Sequence, residues 1–151
     1  MNEQYDYIEL KKVELSAKTV ELAKSIIKET DGYLSKFNIA ASFSFSAPNV
    51  EKIENDYMTF LLKISKNISL MTDLNAELAS LIIAADKAAQ IEPTLLLQTR
   101  FDAFCNFEKA LYEFTSKTDD AISSGKISNS FIISSTQKFK LALETLIKSN
   151  T

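Results

Sequence analysis

One pattern dominates the middle of this chain: Val50, Tyr57, Ile64, Met71, Leu78 and Ala85 recur every seven residues. Ile53, Phe60, Leu74, Leu81 and Ala88 form a companion series, interrupted at Asn67. Apolar residues three, four and seven apart share one face of an α-helix, whereas a strand alternates with a period of two. Leu61, Ile68, Ile82 and Ala89 widen the stripe beyond a two-stranded seam, so the helix needs more than one neighbour. Unbroken from Pro48 to Ile91, it would be roughly 65 Å long at 1.5 Å per residue. Asn67 reads equally as a bend, a register-setting contact, or a side chain tilted into water.

The rest of the chain follows the same logic. Val13, Val20, Ile27 and Leu34, with Leu10, Ala17, Ala23 and Phe37 beside them, predict a first helix over about 5–36. Pro93 opens a third helix carrying Phe101, Phe104, Phe107, Tyr112 and Phe114, and it ends between Lys117 and Ser123. A last, shorter helix takes in Phe139, Leu143, Leu146 and Ile147, with a capping box at 134–137 or a start as early as Ser128. The 151 residues include only two glycines and two prolines, too few for the many turns of a β-rich fold. The expectation is an all-α fold, a single domain over 1–151. Its form would be an elongated antiparallel bundle of three long helices plus a shorter C-terminal one.

Composition removes most chemistry. There is no histidine, so the commonest general base and metal ligand is missing. The two glycines, Gly32 and Gly125, are too far apart to form a phosphate loop. Cys105 is alone and sits in an apolar run, which suits a small buried hydrophobe. Carboxylates remain. Asp73 and Glu77 lie off the apolar series and read as solvated; Asp102 and Glu108 lie nearer the apolar face of the third helix, yet they too read as surface residues. We expect no catalytic residue, no cofactor and no metal site.

Arg100 is the only arginine among 17 basic residues, and the net charge is −3. Guanidinium forks are the usual readers of phosphate and guanine, so nucleic acid is not an expected partner. The first residues lack the basic and apolar regions of a cleaved signal, and no run of about 20 apolar residues suggests a stable membrane span. Cytoplasmic residence is the default expectation, with signal-independent export left open.

A chain of this kind is expected to act through its surfaces: an adaptor, an inhibitor, an immunity-type protein or a secretion accessory. The alternative is a membrane-active subunit of an α-helical pore-forming system, motivated by the long helices and the uncharged stretch 78–85. Two surfaces stand out. The connection 38–47 alternates Phe43 and Phe45 with serines, which predicts an extended segment with both rings on one side, as a partner anchor or as a plug for the core. The helix 48–91, longer than its neighbours by roughly 15–20 Å, is expected to project an apolar end. A homo-oligomer would cover that end, or a break near Asn67 would remove it.

Overall fold

The computed structural model describes residues 3–43 and 49–151, with side chains over 6–37 and 49–151. Its helices are α1 (Glu3–Phe43), α2 (Val50–Lys87), α3 (Ile91–Ser124) and α4 (Asn129–Ser149), with no strand among the described residues. α1 and α3 each pack against both α2 and α4, so the four helices form a ring in chain order. Paired positions run in opposite directions along each contact. On α1 and α2, Ser25 meets Asn67 while Lys36 meets Asp56; on α1 and α4, Ser16 meets Asn150 while Asp31 meets Lys140. This is an up-down antiparallel bundle, as the periodicity predicts.

α2 buries both of its apolar series: Tyr57, Ile64, Met71, Leu78 and Ala85, with Ile53, Phe60, Leu74 and Leu81. It is continuous. Asn67 does not interrupt it and does not stand free: its Nδ2 donates to Ser25 Oγ on α1 at 3.0 Å and ties the two helices in register. The helix begins at Asn49, whose side chain accepts from the Lys52 N–H at 3.1 Å. α1, at 41 residues, is longer than α2, at 38, so the projecting apolar end anticipated for the second helix does not occur. α2 is also more apolar than a search for uninterrupted runs suggests. An 18-residue window reaches a mean hydropathy of 1.4, long and apolar enough by length and composition to cross a membrane, with 28% of it buried.

α1 departs furthest from expectation. It continues to Phe43, so residues 38–43 are helical and not the start of an extended segment. Its core face also differs from the heptad read off the sequence. Val13 is 63% exposed while Leu34 is 7% exposed, with Val20 and Ile27 between them. The cause is the length of α4. That helix ends beside Ser16, so Val13, one turn further along, has no neighbour to bury it. The true core row includes two threonines, Thr19 and Thr30, both buried. Each donates its hydroxyl to the carbonyl four residues back, Leu15 and Ile26, at 2.7 Å, which lets a polar residue sit in the core.

The core is most aromatic toward the α1–α2 connection. Tyr33 stacks on Phe60 at 4.5 Å and Phe114 on Phe139 at 5.1 Å, and Phe60 meets Phe114 edge-on at 6.1 Å. All four helices contribute to this cluster, a geometry favoured by the ring quadrupoles. α4 starts at Ser128, whose hydroxyl oxygen accepts from the Phe131 N–H at 3.1 Å, so the candidate box at 134–137 lies inside the helix. Its far end is closed by Arg100, whose Nε donates to the Ser149 carbonyl at 3.2 Å. The connection between α2 and α3 turns through Ala89 at φ 55, and α3 ends on Gly125 at φ 69.

Candidate docking face on α2 and α3

Beyond its buried series, α2 carries a second row on its outer side. Met58, Leu62, Ser65, Ser69, Thr72, Ala76, Ala79 and Ile83 advance by alternating steps of four and three, the spacing of a helix–helix seam. All are exposed except the half-buried Ala79. None carries charge. The charges of this stretch, Lys63, Lys66, Asp73 and Glu77, lie on a separate row toward α1, where Lys63 and Glu77 line the grooves between α1 and α2.

On the α3 side of this row lies a shallow, mainly apolar groove of about 440 Å³, lined by Leu61, Ile68, Leu111 and Tyr112 among others. Tyr112 on α3 (72% exposed) lines it, and Ser65 belongs both to its lining and to the outer row, on which Leu62 (73%) and Met58 (49%) lie one and two turns away. Glu108 is the one charged residue in the lining, and its carboxylate accepts from Asn75 Nδ2 of α2 at 3.0 Å. A large leucine, a methionine and a tyrosine around an apolar groove form a surface that water solvates poorly. Aromatic and aliphatic anchors of this kind carry most of the energy of protein interfaces.

The candidate chemistry falls elsewhere. Asp73 and Glu77 are exposed, as expected. Asp102 and Glu108 are exposed too, in line with a surface reading: Asp102 accepts from Gln98 Nε2 at 3.0 Å, and Glu108 is held by Asn75. Cys105 is exposed and not buried, because the core row of α3 runs through Ala103, Phe104 and Phe107 and passes it by. Partial desolvation, together with Glu108 and Asp102, pushes its thiol above the ordinary value, which suppresses the reactive thiolate. No cluster of three potential metal ligands occurs among the described residues. Burial raises the Tyr33 and Tyr57 hydroxyls well above the ordinary range, with Asp56 and Asp119 respectively adding to it, and burial lowers Arg100.

Of the two phenylalanines singled out as a possible partner anchor, Phe43 is the last residue of α1, and its side chain lies outside the described residues, as does all of Phe45. The outer row of α2 and Tyr112 were not singled out from the sequence. Their signal was present, as a second set of uncharged residues at seam spacing, but the stronger inner series masks it. No family model, no curated protein and no solved structure matches this chain.

Proposed function

We propose that this chain is a non-enzymatic binding protein that takes another protein chain onto the α2–α3 face, in the manner of an adaptor, inhibitor, immunity-type or secretion-accessory protein. The observation that carries this reading is the charge-free row of α2, with Leu62 73% exposed, beside an apolar groove lined by the 72% exposed Tyr112. The absence of histidine and the presence of only two glycines narrow the catalytic options and agree with it. A photoreactive residue placed at position 112, irradiated in an extract of the producing cells, tests it. The expected product is a polypeptide adduct that disappears when Leu62→Lys is added and is not formed from the exposed position 144 on α4. Equal adducts from positions 112 and 144 would count against the reading.

The alternative, a membrane-active subunit of a pore-forming system, is favoured by one observation: the apolar 18-residue window of α2. Dye release from anionic vesicles, abolished by Leu78→Lys but not by Leu62→Lys, is the result that would favour it. Leu78 lies in the core, so only insertion of the whole helix would bring it to lipid.

A further inference from the structure

We propose that the occupant of this face is a second copy of the chain, its α2 lying antiparallel to the first α2 across a two-fold axis. The inference rests on the docking face described above and adds the identity of the partner.

The outer row of α2 is self-complementary when reversed. Setting Ser69 opposite the second copy's Thr72 places Ser65 opposite Ala76, Leu62 opposite Ala79 and Met58 opposite Ile83, so every member of the row meets another member. The sizes are graded to suit. Two crossing helices approach most closely at their crossing point and diverge toward its ends, with a separation set by the side chains between them. Small residues occupy the centre of this row, and Met58, Leu62 and Ile83 occupy its ends. A two-fold interface must be self-complementary in just this way.

Charge gives an independent argument. In an antiparallel pair about a two-fold axis, each flank of the seam meets the same flank of the other copy. On the α1 side the charged residues beside the seam are Lys66 at one end and Asp73 at the other, with Lys63 and Glu77 turned further toward α1. Reversal brings Lys66 opposite Asp73, once on each side of the two-fold axis. In a parallel pair the charged flank would meet the uncharged α3-side flank of the other copy, and Lys66 and Asp73 would find no partner there. All four residues are exposed, and none takes part in an ion pair among the described residues.

The size is adequate. The row from Met58 to Ile83 is roughly 38 Å long and one helix, about 10 Å, wide. That strip covers about half of the roughly 800 Å² per partner that a stable pair buries. The adjoining groove and Tyr112 extend it.

Sedimentation equilibrium on the intact chain tests this. The wild-type chain should associate to twice its 16.9 kDa mass. Lys66→Glu turns two attractive contacts into two repulsive ones, as does Asp73→Lys, and each should weaken the pair by about tenfold. An equimolar mixture of the two variants should pair again with near wild-type strength, because each then supplies the charges the other lacks. If either variant loses its helical circular dichroism, Ser69→Lys, at the exposed centre of the row, replaces both and should likewise give a monomer. A wild-type chain that stays monomeric at about 100 μM overturns the inference, and so does a dimer indifferent to all of these changes. A monomeric chain that still forms a specific adduct with a different polypeptide from position 112 overturns self-pairing and leaves the docking reading standing.

Discussion

Ser16 and Asn150, 134 positions apart, are joined by a buried hydrogen bond in which Ser16 Oγ donates to Asn150 Oδ1 at 3.1 Å. The same asparagine donates from Nδ2 to the Leu146 carbonyl at 2.8 Å. One side chain therefore satisfies an open carbonyl at the end of α4 and fixes where α4 stops along α1. Asn150→Ala leaves the buried Ser16 hydroxyl and the Leu146 carbonyl without these partners. It should cost about 1–3 kcal/mol in urea unfolding, and Ser16→Ala should cost less because the Leu146 contact survives.

The aromatic cluster is the main source of stability at the α1–α2 end. Phe139 is fully buried and stacks on Phe114. Phe139→Ala should destabilise the chain by about 3–5 kcal/mol. Tyr112→Ala, at a largely exposed site of the isolated chain, should cost far less, within about 1 kcal/mol. Equal costs at the two positions would mean that Tyr112 is not the surface residue described here.

Alkaline pH should unfold the protein through its two buried tyrosines. Burial raises the Tyr33 and Tyr57 hydroxyls above their ordinary value, so the folded state keeps protons that the unfolded state releases. Their contribution is complete below the unfolded value of about 10 and falls as pH rises above it. Tyr33→Phe and Tyr57→Phe should each flatten that decline in a pH series of thermal melts. The two should differ near neutral pH. Tyr57 Oη donates to the Thr115 carbonyl at 3.4 Å, whereas the Tyr33 hydroxyl is buried with no partner among the described residues. Tyr33→Phe should therefore leave stability unchanged or raise it by up to about 1 kcal/mol, since an unsatisfied hydroxyl is removed.

The α2–α3 turn stores strain at Ala89, whose φ of 55 lies in the left-handed region that disfavours a Cβ. Ala89→Gly should be neutral to stabilising by about 1 kcal/mol, and Ala89→Val destabilising, since a β-branched residue tolerates that region least. At the next connection Gly125 already supplies the left-handed residue, so Gly125→Ala should cost about 1 kcal/mol.

How much of this was legible in the sequence depended on whether a position answered to its own helix or to the length of another. The inner face of α2 was readable because its seven-residue series from Tyr57 to Ala85 is apolar throughout and buried along its length. Val13 has the same spacing but is exposed, because α4 ends beside Ser16. Thr19 and Thr30 were passed over because their back-bonded hydroxyls make polar residues compatible with a core. Cys105 lay in an apolar run, yet its position on the helix points away from Phe104 and Phe107. The docking face was harder still: Leu61 and Tyr112 stand far apart in sequence, and only the packing of α2 on α3 brings them to one groove.

The central claim is that a protein chain covers the α2–α3 face, and hydroxyl-radical footprinting of Met58, Leu62 and Tyr112 tests it most directly. Leu141 on α4 is the internal reference, being 63% exposed and away from that face. In extracts of the producing cells, compared with dilute purified protein, modification of the three should fall at least about fivefold relative to Leu141. Such protection means the face is occupied, as interfaces with exposed aromatic and aliphatic anchors are. An unchanged ratio, with all three as reactive in the extract as in dilute solution, would contradict the claim.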